Sequence, residues 1–540
     1  MDRREFLTLT GSALASSASA LSSQSPVPQS HVSPRAPVQG DKVNIVLIMA
    51  DQHRKDCIGA YGNRIIRTPN LDRIAREGVI FDSAYSSTPS CTPARSALLT
   101  GRSPWGHGML GYSNIATKPY PTEKAAALSA AGYYTTSIGK NHYYPITNPH
   151  GYHHLISDEH CTYWFHTKKA SEAQSAETRC DYESWFWSQL PDKDPHATGL
   201  GWNDQPSRPF VLPEEVHATA WTGTTAVRFL QQYDREEPFF LKVSFIRPHS
   251  PYDPPERFFS MYEAADIPAA QVGDWAAKYE SRSSDRDDLW HGKLPSSEIR
   301  RSRQGYYGSV SFVDEQIGRI LETLERRKLL DNTMIIYLSD HGDMLGDQNM
   351  WRKAYAYEQS AHIPMLLRPA KTMGLQTAGK RIANPVEIRD VLPTVLDAAG
   401  VTIPQDVEGS SLLQLIRHGG QGWREYIDLE HDITYSPTNH WTALTDGKWK
   451  YIFHAFDGSE QLFWLVTDPW EQHDLASQLS HREALELWRK RMVAHLTPRG
   501  SEWVQGNKPA IRKQSMLYSP NFPGYSATFP APGKAVGPPR

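Results

Sequence analysis

The stretch Val43-Asn44-Ile45-Val46-Leu47-Ile48-Met49-Ala50, followed at once by Asp51-Gln52, decides how the rest of this chain is read. It is short, apolar almost throughout and rich in β-branched residues, the look of a strand buried on both faces of a parallel sheet. Similar runs recur at 133–139 (YYTTSIG), 239–246 (FFLKVSFI), 333–339 (TMIIYLS) and 364–368 (PMLLR). Helical patterns separate them at 70–77, 92–99, 123–131, 216–233 and about 304–327. In the last, Val313, Ile317, Ile320, Leu321 and Leu324 form one stripe. Strand and helix in alternation predict an α/β fold, a doubly wound sheet whose ligands bind at the carboxyl ends of its strands.

Those strand ends are polar in a consistent way. Asp51 and Gln52 follow the first run, and Asp340, His341, Gly342 and Asp343 follow the fourth. A lone Asp at such a place commonly caps a turn. Two carboxylates, an amide and one imidazole at the ends of two strands offer more, an oxygen-rich set for a hard divalent cation. The densest segment is 90–102, SCTPARSALLTGR. Thr92 and Pro93 read as a helix N-cap and first helical position, which sets Cys91 just ahead of a helix N-terminus, where backbone N–H groups favour an anion or an ionised nucleophile. Arg95 lies one turn in, on the side of Cys91. A buried, inert cysteine more often sits inside an apolar run.

The 540 residues carry 57 Lys+Arg against 60 Asp+Glu, a formal charge of -3, so there is no overall basic field of the kind that binds nucleic acid or an anionic membrane. Four cysteines are too few for a disulfide scaffold at this length. At the N-terminus, Arg3-Arg4-Glu5-Phe6-Leu7 precedes a mildly apolar stretch ending in Ala18-Ser19-Ala20. This is the pattern of a twin-arginine signal peptide over 1–25, followed by a Ser/Pro/Gln-rich linker over 26–41. It implies export by the twin-arginine translocase to the periplasm or medium. No later window is apolar enough to span a membrane.

Cys91-Thr92-Pro93-Ala94-Arg95 with Leu98-Leu99-Thr100-Gly101-Arg102 resembles the signature of the formylglycine-dependent (type I) sulfatases of the alkaline phosphatase superfamily. Its companions stand in the family's order: Asp51-Gln52, Thr68-Pro69-Asn70-Leu71-Asp72, Gly139-Lys140-Asn141-His142, Pro248-His249, Asp340-His341-Gly342-Asp343 and Lys353. Asp446 to Tyr451 and Leu462 to Pro469 are similar to the family's C-terminal part, and the resemblance covers about 42–496. It implies an alkaline-phosphatase-like doubly wound mixed sheet with helices on both faces over 42–418. A small C-terminal subdomain of antiparallel sheet and helix is expected over 419–499, and a Pro/Gly-rich tail over 500–540.

The resemblance further implies that a formylglycine-generating maturation enzyme oxidises Cys91 to Cα-formylglycine, whose hydrated aldehyde attacks sulfur. Asp51, Gln52, Asp340 and His341, with the modified Cys91, would hold one divalent cation, calcium in first place and manganese as the other candidate. Arg95 would offset the charge of the diol. Lys140 and His142 would bind nucleophile and sulfate, with His142 taking the second hydroxyl's proton, and His249 and Lys353 would face the departing oxygen. Collapse of the covalent sulfate hemiacetal by C–O cleavage would release sulfate, a route closed to a simple serine ester.

Gln52 and His341 depart from the commonest pattern, Asp and Asn, and the same pair resembles the phosphonate monoester hydrolases. Phosphonate monoester or phosphodiester hydrolysis is therefore the alternative, although Gly139 to His142 is of the sulfatase kind. A non-catalytic sulfated-glycan binder is the reading if Cys91 stays a thiol. The expected substrate is a sulfated small molecule or saccharide, and export favours extracellular glycan fragments.

His150, His153 and His154, near Asp158, His160 and Cys161, lack closed metal-site spacing and read as a polar loop. Cys161 and Cys180 are the available disulfide pair, and Cys57 reads as a small packed residue. Trp164, Trp185, Trp187 and Trp202 make the insertion 147–214 a candidate specificity loop. Trp503, Tyr518, Phe522, Tyr525 and Phe529 predict a tail that wraps the body near the active-site mouth.

Overall fold

The computed structural model describes residues 42–116, 118–159, 180–433 and 435–525. The expected signal and linker, His160, Cys161, Trp164 and Phe529 lie outside the described residues.

The run that opens the chain's folded part is β1 (Asn44–Asp51), at the heart of an eight-stranded sheet. The others are β2 (Val79–Phe81), β3 (Tyr134–Gly139), β4 (His154–Ser157), β5 (Phe239–Pro248), β6 (Thr333–Ser339), β7 (Met365–Arg368) and β8 (Lys380–Ile382). Their order is β4-β3-β5-β1-β6-β7-β2-β8. From β4 to β6 every pairing is parallel, while β7 runs antiparallel to both β6 and β2, which makes the sheet mixed. The two-residue period of a strand divides β1 between two cores. Ile45, Leu47 and Met49 enter one, and Val46, Ile48 and Ala50 the other.

Helices cover both faces. α1 (Pro69–Glu77), α4 (Asp181–Gln189), α5 (Ala218–Gln232) and α6 (Ser296–Arg326) pack on the second core, and α2 (Cys91–Thr100), α3 (Lys124–Ala130) and α7 (Val391–Ala398) on the first. α6 begins at Ser296, ahead of the expected start near 304, because its first turns are polar and leave the apolar stripe unreadable. The cap of α2 differs from expectation. Ser90 is the N-cap in extended backbone, Cys91 is already helical, and the Thr92 hydroxyl accepts a hydrogen bond from Ser113 N–H at 3.1 Å.

The last part holds four antiparallel strands, β9 (Ile427–His431), β10 (Trp441–Thr445), β11 (Trp449–His454) and β12 (Glu460–Trp464), in that order. α8 (Arg482–Leu496) covers one face with Trp488, Met492 and Leu496. The other face, through Trp441, Ile452 and Phe463, packs on Tyr85, Met344 and Tyr355 of the main body.

Two predictions follow from this packing. Gly139 ends β3 in left-handed backbone (φ 95°), where a Cβ would collide with the Ser244 carbonyl oxygen. Gly139→Ala is expected to cost about 1–3 kcal/mol of stability, read as a lowered denaturation midpoint. Burial pushes His53 down to about 4 and His107 and His431 to about 3. The unfolded chain binds protons at these rings below about pH 6.5 whereas the folded one resists, so acidification favours unfolding. Taken alone these rings should lower stability by several kcal/mol or so between about pH 7 and about pH 4.5, while Asp314, Glu387 and Glu471, which burial raises to about 7, act the other way. His107→Gln should therefore lessen the loss of thermal midpoint on acidification, and an unchanged acid dependence in that variant would contradict the neutral burial of His107.

Candidate active site

Four segments leave neighbouring strand ends and converge. Ala50 pairs with Ser339, so Asp51 and Asp340 emerge side by side. A register shift after Ala50 sets Asp51 opposite Pro248, and His249 N–H donates to the Asp51 carbonyl at 3.1 Å. Across β5, Gly139 pairs with Ser244, and Lys140 N–H donates to the Ser244 carbonyl at 2.9 Å.

Arg95, from α2, ties these ends together. Its Nη2 lies 3.0 Å from Asp51 Oδ2 and 2.9 Å from Asp340 Oδ2. Its Nη1 donates to the Lys140 carbonyl at 2.8 Å and the Ser244 hydroxyl at 3.1 Å. Lys140 Nζ stands 2.6 Å from the same Asp51 Oδ2. Burial alone would raise the Asp51 carboxyl, but Lys140, His249, His341 and Arg95 outweigh it and hold the group well below the usual carboxylate range.

The Cys91 thiol reaches the same space, 3.1 Å from His341 Nε2 and 3.8 Å from Asp51 Oδ1. His341 Nδ1 lies 2.9 Å from the Gly342 carbonyl. That contact orients the ring so that Nε2 faces Cys91 and the carboxylates. Burial and Asp51 oppose ionisation of the thiol, yet the positive charges of Lys353, Lys140 and His341 pull it below its ordinary value. Ligand atoms of Asp51, Cys91, Asp340 and His341 all lie within 4.8 Å of one another, the one such cluster among the described residues. Two buried carboxylates, a ring nitrogen and an adjoining amide suit a divalent cation, so the donor set fits the expected ion.

Gln52 sits in left-handed backbone (φ 68°). Its N–H donates to Asp340 Oδ1 at 3.1 Å, its Nε2 to Asp343 Oδ2 at 2.5 Å, and its Oε1 accepts from Lys353 Nζ at 2.9 Å. Lys353 Nζ also lies 2.5 Å from His249 Nε2, whose ring stacks on Trp202 at 4.0 Å. Burial, reinforced by Lys353, holds His249 well below the ordinary imidazole value. His142 is likewise left-handed (φ 58°), and its N–H and that of Asn141 both donate to Glu159. Burial, then Lys140 and Arg95, lowers its ring well below the ordinary value, leaving a neutral proton acceptor.

Asp51, Gln52, Cys91, Arg95, Lys140, His249, Asp340, His341 and Lys353 thus form one connected network, with His142 beside it. Other residues singled out in the sequence go elsewhere. His150 is buried against Glu123 and Tyr143, not solvated, and His153 bonds Thr135 and Ser129. Trp185 and Trp187 join the core, and only Trp202 of the described insertion tryptophans touches the network. Cys57 packs among Ile66, Tyr252 and Tyr306, and the Cys180 thiol donates to Glu183 at 3.5 Å. The sequence reading missed Ser244, Glu159 and Tyr252, whose hydroxyl donates to Asp343 at 2.5 Å. Asp343 was visible in its motif but had no role; Glu159 and Ser244 give no local signal.

Comparison with known proteins now bears on this geometry. Residues 43–401 match the sulfatase family, and 346–497 match a family described as N-sulphoglucosamine sulphohydrolase, C-terminal. An arylsulfatase of Clostridium perfringens is 38% identical over 469 residues, 86% of this chain and 97% of its own. An N-acetylglucosamine-6-O-sulfatase of Bacteroides thetaiotaomicron is 27% identical over 80% of this chain and 82% of its own. The solved phosphonate monoester hydrolase of Agrobacterium radiobacter has a TM-score of 0.67 at 24% identity, over 87% of this chain and 100% of its own, a likeness of fold. The architecture is therefore alkaline-phosphatase-like. The chain belongs to the sulfatase family and is a sulfuric ester hydrolase, which sets aside the non-catalytic binder.

Asp343 orients Gln52 from behind the candidate donor cluster. Asp343→Ala is expected to weaken divalent-cation binding about 10–100-fold. Calorimetric titration with Ca2+ and with Mn2+ reads this, and unaltered affinity for both would refute it.

Proposed function

We propose that this enzyme releases sulfate from sulfated carbohydrates, with Cys91, matured to Cα-formylglycine, providing the nucleophile. The observation that carries the reading is the Cys91 side chain's position, first in α2 and against His341 and Asp51, with Arg95 beneath and both lysines near. Formylglycine would supply a hydrated aldehyde where a thiol stands. Asp51, Gln52, Asp340 and His341 would hold a divalent cation, calcium before manganese, which when bound would offset the ester's charge and favour an ionised hydroxyl.

The chain's own residues do the rest. Arg95 and Lys140 keep two positive charges in a water-poor site, where they act strongly on an anionic sulfate. Neutral His142 takes the nucleophile's second proton. Lys353, hydrogen-bonded to the Nε2 of the neutral His249 ring, offers positive charge and a proton to the leaving oxygen, and His249 holds it there.

A carbohydrate substrate is supported by the N-acetylglucosamine-6-O-sulfatase likeness and by the export pattern at the N-terminus. That pattern supports maturation in the cytoplasm, passage through the twin-arginine translocase and a periplasmic or secreted enzyme. No described helix is long and apolar enough to cross a membrane. Phosphonate monoester hydrolysis is the second reading, favoured by Gln52 and His341 together; Lys140 and His142 in the same site weigh against it.

Sulfate release should be found with a panel of sulfated saccharides, and turnover of phosphonate monoesters alone would sink the proposal. Mass spectrometry of the Cys91 peptide, from protein made beside a maturation system, should show the aldehyde. Cys91→Ala should lower turnover at least about a thousandfold; an unmodified thiol together with turnover that survives Cys91→Ala would overturn the mechanism.

A further inference from the structure

The chain beyond residue 497, where the family matches end, returns to the active site. Leu110 N–H donates to the Leu517 carbonyl at 3.0 Å, and Ser519 N–H to the Gly108 carbonyl at 2.8 Å. Met109 and Tyr518 thus face each other in an antiparallel bridge. Ser519 Oγ and Asn521 Nδ2 both donate to the Trp105 carbonyl, at 2.7 and 3.0 Å. Arg512 pairs with Asp432 at 3.0 Å, and Asp432 N–H donates to the Leu110 carbonyl at 2.6 Å, which anchors the strap from a second side. Leu517, Tyr518, Ser519 and Phe522 are buried. Gly108 is left-handed (φ 83°), and a Cβ on it would collide with the Phe522 backbone, so the segment 106–112 is shaped to receive this strap.

The contact continues inward. Tyr518 OH hydrogen-bonds Ser113 Oγ, and Ser113 N–H donates to the Thr92 hydroxyl at 3.1 Å, next to Cys91. Tyr112, the neighbour of Ser113, sets its ring edge-on to His142 with centroids 6.2 Å apart. Strap, 105–113 segment and the wall beside His142 are therefore one packed unit.

We propose that the strap 512–522 is a working part of the substrate site, with Tyr518 a positioning residue that acts through Ser113 to hold Tyr112 and the wall beside His142. This rests on the reading of His142 as a residue of the reaction centre. The strap sets how closely the group bearing the ester seats, so its loosening is expressed in KM ahead of kcat.

The test uses full-length protein and whichever ester the wild type hydrolyses. If that ester is a phosphonate and no sulfate ester turns over, the functional reading fails while the strap is still measured. Tyr518→Phe and Ser113→Ala each remove one hydroxyl and keep the packing. Each should raise KM about three- to tenfold, with kcat changed less. Because both break one hydrogen bond, the double variant should be no worse than either single one. Tyr518→Ala should raise KM further and lower amide-exchange protection across 107–113. Unchanged KM in all variants, an equal fall in kcat without a change in KM, or additive effects in the double variant would each overturn the proposal.

Discussion

Two carboxylates, Asp51 and Asp340, are fully buried at the ends of adjacent parallel strands and share Arg95, and that pairing governs the site around them. Each buried ion carries a desolvation penalty of several kcal/mol or so unless it is paired and hydrogen-bonded. Arg95 meets both, Lys140 meets one, and the donor set is completed by groups suited to a cation. That requirement explains why α2 docks where it does: its fifth residue must reach both strand ends. It also fixes the pairing of β1 with β6, since a slip of one residue would turn Asp51 into an apolar layer.

The same positive charges that stabilise the carboxylates act on the nearby imidazoles. His142 and His249 are buried beside Lys140, Lys353 and Arg95, so each is held neutral. His341 differs because Asp340 and Cys91 face it, and they outweigh burial to raise it. Gln52 and His142 both sit in left-handed backbone, a conformation that costs about 1–3 kcal/mol at a non-glycine residue. Gln52 is held by Asp343, Asp340 and Lys353, and the His142 segment by Glu159, so the surrounding polar network over-determines each strained turn.

The central strands and the helices that carry apolar stripes were legible because periodicity is a local property. β6 falls at the expected residues, and β1, β3, β5 and β7 within a residue or two. The strands β2, β4 and β8, three or four residues long, carry no readable period, and β9 lacks a run of its own. Residues that meet at the site were read from strand ends and from a family resemblance; their mutual distances were not readable. Glu159, Ser244 and Tyr252 support the site from outside any motif, because a buried hydrogen-bond partner leaves no local mark. The cap of α2 lies two residues ahead of the expected one: Thr92-Pro93 has the composition of a helix start, but Ser90 is where the backbone turns.

All ten residues of α2, Cys91–Thr100, are buried, including the Cys91 thiol. On the proposed maturation this turns biosynthesis into a race between two clocks. An oxidising enzyme would reach Cys91 only before the segment 90–102 is buried, and closure of α2 over the strand ends would shut that window. A chain that folded first would keep its thiol and be an inert twin of the enzyme. The specific activity of a preparation would then record the history of its synthesis as much as the chemistry of its site.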